Sequence, residues 1–75
     1  MKEFVEYIAK SIVEHPDQVV VTEERTPIQV KLVLSVAPDD MGRVIGKQGR
    51  IVNSLRILLR VTAVRQGTRA SLEII

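Results

Sequence analysis

Gly46 and Gly49 stand three apart, enclose Lys47 and Gln48, and are followed at once by Arg50. Glycine lacks a Cβ, so both positions can take positive φ and let another molecule come close to the backbone. A helical run begins at Arg50-Ile51-Val52-Asn53-Ser54-Leu55. That start sets the amides of Lys47, Gln48 and Gly49 at a helix N-terminus, where unsatisfied N–H groups and the positive end of the dipole favour an anion. Lys47 and Arg50 add formal positive charge at the same spot. The chemistry this pattern serves is retention of phosphate, and a chain of phosphates suits it better than one.

Other chemistries fail on spacing or residue type. A P-loop needs four residues between its glycines and a Ser or Thr after the Lys, but Gly42 and Gly46 enclose three and Gln48 follows Lys47. A dinucleotide fingerprint needs glycine where Val44 stands. His15 is the only histidine, sits beside Pro16 and has no partner for base catalysis, so it reads as a helix-terminal residue. Asp39 and Asp40 adjoin each other at a helix start, where adjacent side chains diverge, and they read as N-caps rather than as an acid–base or metal pair. With no cysteine and no spaced carboxylate pair, the expectation is a non-catalytic chain without metal or cofactor.

The glycine turn needs elements on either side to hold it. Lys2 to Glu14 is an amphipathic helix, with Val5, Ile8, Ala9 and Ile12 on one stripe, and His15-Pro16 ends it. Gln18 to Glu24 is valine-rich and reads as a strand. Ile28 to Val36 alternates, with Ile28, Val30, Leu32, Leu34 and Val36 on one side, giving an antiparallel hairpin with one wet face. Pro38-Asp39-Asp40 starts a short helix from about Asp40 to Ile45, which Gly46 stops. Gly42 inside it costs about 1 kcal/mol relative to Ala, which implies close packing or the approach of a ligand.

From Arg50 to about Arg65 a longer helix gathers Ile51, Val52, Leu55, Leu58, Leu59 and Thr62 on a core face. Ile57, Val61 and Val64 fall on nearly the opposite face. Two readings of that second stripe stand side by side: a dimer interface, or cover by the last strand or the first helix. Gln66-Gly67-Thr68 ends the helix, and Arg69 to Ile75 is a final strand.

At 75 residues with no break in composition, the chain is expected to be one domain over residues 1–75. One Phe, one Tyr and no Trp argue against base stacking on aromatic platforms. No secretory segment or membrane-length apolar run is found. The net charge of +2 hides an asymmetry: residues 1–40 hold eight acids against four bases, whereas Met41 to Leu72 hold seven bases and no acid. That polarity around the glycine turn is the footprint of a polyanion site, set against the alternative of a solvated basic face.

The order α-β-β-α-α-β, with Ile-Gly-x-x-Gly-x-x-Val from Ile45 to Val52 between the middle helices, resembles a type II K homology (KH) domain. This implies an α+β fold, a three-stranded sheet with helices on one face, and a Gly-x-x-Gly loop that clamps single-stranded nucleic acid. Val13-Glu14-His15-Pro16-Asp17 and Gly42-Arg43-Val44-Ile45-Gly46-Lys47-Gln48-Gly49-Arg50 make the whole chain similar to the bacterial KhpA family of small KH proteins. The resemblance implies a cytoplasmic protein that binds single-stranded RNA and associates with itself or with a second KH protein of the KhpB (Jag) type. It also implies a role as RNA chaperone in cell shape and cell-wall homeostasis. By the same resemblance Gly46, Lys47, Gln48 and Gly49 meet the strand's backbone. Arg43, Val44, Ile45 and Val52 border an apolar groove for bases, although Val44, Ile45 and Val52 equally fit an ordinary core.

Overall fold

The structure, a computed structural model, describes residues 1–75. Its elements are α1 (Lys2–Ile12), β1 (Val20–Arg25), β2 (Gln29–Ser35), α2 (Met41–Ile45), α3 (Arg50–Arg65) and β3 (Arg69–Ile74). Single 3-10 turns at Pro16–Gln18, Pro38–Asp40 and Lys47–Gly49 join them. The strands form one sheet in the order β1-β2-β3, with β1 antiparallel and β3 parallel to β2. The α-β-β-α-α-β order and the packing of all helices on one sheet face are as the sequence predicts. The parallel pairing of β3 requires a crossover, and α2 and α3 supply it.

Alternation along β2 builds the centre of the core. Val30, Leu32 and Leu34 are buried, while Gln29, Lys31, Val33 and Ser35 face the other way. Burying each of those three aliphatic side chains contributes about 2 kcal/mol. Across the register, Lys31 meets Glu24 and Ser71, and Val33 meets Thr22 and Glu73, so the sheet's second face is mostly polar. In α1, Val5 and Ala9 lie four apart and are fully buried. Val13 leaves the helix with extended backbone (φ −95°, ψ 161°), two residues ahead of the His15-Pro16 step.

Helix α3 sets Val52, Leu55, Leu59 and Ala63 into the core at spacings of three, four and four, the period of one helical face. Leu58 does not join them: it is 49% exposed, although the sequence periodicity places it on the core side. Leu58 is exposed together with Ile57 and Val61. The α3–β3 connection closes with Thr68 N–H donating to Ala63 C=O at 2.9 Å and with Gly67 at φ +71°, a left-handed C-terminal stop.

Candidate nucleic-acid interface

Two positive-φ glycines hold the turn between α2 and α3. Gly46 adopts φ +77°, ψ 170°, a region that glycine alone populates readily, and a Cβ there would lie 2.6 Å from Ile51 Cγ1. Gly49 is left-handed at φ +74°, and its nearest neighbour to a Cβ, Asn53 Nδ2, is at an ordinary 3.5 Å. Gly46 is thus demanded by both conformation and space, and Gly49 by conformation. Between them Gln48, a residue with a Cβ, is also left-handed (φ 58°, ψ 26°). Such a conformation is uncommon outside glycine and costs about 1 kcal/mol.

The turn spends some of its amides on itself. Gly46 N–H donates to Gly42 C=O at 2.8 Å, and Gly49 N–H donates to Gly46 C=O at 3.1 Å. Of the three amides predicted to face a ligand, Gly49's is therefore occupied within the turn. No turn or cap bond engages Lys47 or Gln48 N–H, and both residues are exposed. Lys47 and Arg50 make no ion pair, and the Arg50 guanidinium donates to Gln48 Oε1 at 3.5 Å.

The residues flanking the turn divide between the two readings the sequence left open. Val44 is 0% exposed and Val52 6%, and both belong to the hydrophobic core. Ile45 is 37% exposed and stands at the surface instead. Helix α2 has only five residues, and one 100° step along it exchanges the inward and outward side chains. A Cβ on Gly42 would meet nothing within 4 Å, so close packing is not the reason for glycine there. Its backbone lies open on the outer side of α2.

Arg43 is paired with acids rather than left free. Its guanidinium donates to Glu14 Oε1 at 2.6 Å and lies 3.7 Å from Asp40 Oδ1. Asp40 is fully buried and does not cap α2. Its carboxylate accepts the N–H groups of Glu14 at 2.9 Å and His15 at 3.0 Å, tying the end of α1 to the start of α2. Burial acts to raise its pKa, but these two bonds and the charges of His15 and Arg43 hold it below the ordinary 3.8. Asp39 is exposed. His15 sits beyond the end of α1, where the sequence places it, with its N–H on Asp40.

The basic half of the chain surrounds α3. Arg56 donates from Nε to Leu72 C=O on β3 at 3.2 Å. Ile57, Leu58, Val61 and Val64 are 48–70% exposed and form one apolar face, which neither α1 nor β3 covers. No helix is long and apolar enough to cross a membrane. No group of three or more His, Cys, Asp or Glu side chains converges as a metal-ion site would require.

Comparison with known proteins agrees with this geometry. The family model described as the KhpA/KhpB KH domain matches residues 2–74. The RNA-binding protein KhpA of Clostridium acetobutylicum is 48% identical over 75 residues, covering 100% of both chains. The KhpA of Halalkalibacterium halodurans is also 48% identical, over 100% of this chain and 99% of its own length. That of Listeria monocytogenes (strain EGD-e) is 44% identical over the same shares. No solved structure gives a significant match. A full-length family match, these identities and a Gly-x-x-Gly turn set between two helices make this chain a member of the KhpA/KhpB family of KH-domain proteins.

Proposed function

We propose that the chain is a non-catalytic single-stranded RNA-binding protein whose α2–α3 turn holds the strand's phosphates. One observation carries the reading: Lys47 and Gln48 present unspent amides at an exposed turn, beside two cations, Lys47 and Arg50, that no acid neutralises. Gly46 and Gly49 fix the turn, Ile45 and the open backbone at Gly42 face the bases, and binding is weakly sequence-specific. The relatives' name, RNA-binding protein KhpA, supports the choice of RNA. Neutralising about three phosphates of a single strand gives a log–log salt slope near −2. Replacing Lys47 and Gln48 together by Asp is expected to abolish binding of oligouridylate in fluorescence anisotropy while leaving the circular dichroism unchanged. Undiminished affinity in that variant contradicts the site.

A second reading concerns assembly and rests on the apolar face of α3. Ile57, Leu58, Val61 and Val64 are exposed together, and a patch of this kind marks an interaction surface. We propose that it joins the chain to a second copy or to a KH protein of the KhpB type. In that assembly the chain acts in the cytoplasm as a subunit of an RNA chaperone serving cell shape and cell-wall homeostasis. Pairing two weak RNA sites raises avidity without new contacts to the strand. In sedimentation, Ile57→Asp is expected to shift self-associated or partner-bound protein to monomer. Unchanged mass and partner binding remove this reading.

A further inference from the structure

The molecule has one cleft, and it lies away from the glycine turn. It occupies about 340 Å³ between the C-terminal half of α3 and the start of β3, lined by Arg60, Ala63, Val64, Thr68, Arg69 and Ala70. Arg60 and Arg69 are exposed, make no ion pair and donate no side-chain hydrogen bond. They differ in this from Arg43 and Arg56, which are committed to Glu14 and to Leu72 C=O. No acid lines the cleft. Both arginines without a protein partner line one opening, and a guanidinium with its donors unspent suits an oxyanion that accepts paired N–H groups.

Thr68 lines the cleft between the two arginines' elements. Its Oγ1 is the one buried side-chain oxygen or nitrogen without a hydrogen-bond partner.

The position of the cleft relative to the turn selects the ligand. Arg50, Asn53 and Arg60 recur at spacings of three and seven, so they follow one side of α3 from the turn to the cleft. The path from Gly49 to Arg60 covers eleven helical steps, about 16 Å. A free phosphate would leave this polar row unused, whereas a strand held at the turn would run along it.

We infer that Arg60 and Arg69 form a second phosphate site for the same single strand, so that the strand is held at both ends of α3. The inference rests on the proposed RNA-binding turn and extends it. The turn alone binds a short oligonucleotide; turn and cleft together require a longer one. Each of the two sites contributes to the affinity of the longer strand.

The test compares tetrauridylate and decauridylate by fluorescence anisotropy across a salt series, using the full chain. The wild-type chain is expected to bind decauridylate more tightly than tetrauridylate. Arg60→Gln with Arg69→Gln is expected to weaken decauridylate binding about tenfold and leave tetrauridylate within twofold. Loss of two phosphate contacts also reduces the decauridylate salt slope by about 1.4. Arg65→Gln, which removes a charge outside the cleft, is expected to leave both within twofold, and circular dichroism verifies the fold of each variant. Equal decauridylate affinity and slope in wild type and the Arg60/Arg69 variant overturns the cleft. An equal loss in Arg65→Gln also overturns it, because net charge then accounts for the effect. The Lys47→Asp/Gln48→Asp variant separates the two readings: if it binds tetrauridylate like wild type, the turn is not the primary site. Wild-type protein that binds neither oligonucleotide defeats both.

Discussion

Replacing Gly46 by Ala tests how the turn is built. The new Cβ would lie 2.6 Å from Ile51 Cγ1 and 3.0 Å from both Cβ and Cδ1 of the same residue. Ile51 is β-branched and half-buried in the first turn of α3, so its Cβ cannot swing aside. Holding a non-glycine residue at φ +77°, ψ 170° costs about 1–3 kcal/mol. The overpacking against Ile51 adds about 1–3 kcal/mol. A combined loss of about 3 kcal/mol is expected. It is a large share of the roughly 4–11 kcal/mol available to a domain of this size. The melting temperature falls by about 12–24 °C.

Gly49→Ala meets only the left-handed penalty of about 1–2 kcal/mol and is the matched control. Urea unfolding followed by circular dichroism measures both. Adding Ile51→Ala to Gly46→Ala removes the Cγ1 and Cδ1 contacts and is expected to show a favourable coupling of about 1 kcal/mol in a double-mutant cycle. A loss in Gly46→Ala no larger than in Gly49→Ala, or the absence of coupling with Ile51, refutes the steric argument.

Two further substitutions probe neighbouring features. Gly42→Ala is expected to stabilise α2 by up to about 1 kcal/mol in urea unfolding, because its Cβ meets nothing, and to weaken RNA binding, because it narrows the approach to the backbone. For Asp40 the folded pKa lies below the ordinary 3.8, so its carboxylate contributes stability above about pH 4 that disappears as pH falls through the lowered folded value. Asp40→Asn is expected to lower the melting temperature at pH 7 and to flatten its decline below pH 4. A wild-type acid transition retained in full by Asp40→Asn would show that other carboxylates carry it.

The features legible in the sequence are those fixed by local chemistry. The ends of α3 follow from Gly49 before it and Gly67 after it, and the hairpin from alternation along Val30, Leu32 and Leu34. The turn is legible because two positive-φ positions require two glycines. Features set by distant partners are not legible. Asp40 resembles an N-cap locally, yet its carboxylate bonds with Glu14 and His15, 26 and 25 residues away. Arg43 is paired by the same distant segment, through Glu14. Which of Val44 and Ile45 turns inward is not legible because a five-residue helix has too few turns for periodicity to orient it. Leu58 fits either apolar stripe of α3, and the tertiary packing leaves it exposed with the second. The cleft at Arg60 and Arg69 joins residues on either side of a helix stop, which no linear motif marks.

The central claim is that the Lys47 and Gln48 amides hold the strand. Titrating ¹⁵N-labelled protein with oligouridylate and following backbone amide resonances tests it most directly. The Lys47 and Gln48 N–H signals are expected to shift downfield and saturate with the binding isotherm, while that of Gly49, already bonded to Gly46 C=O, moves less. Saturable binding that leaves both signals in place, with the shifts gathered elsewhere on the molecule, would contradict it.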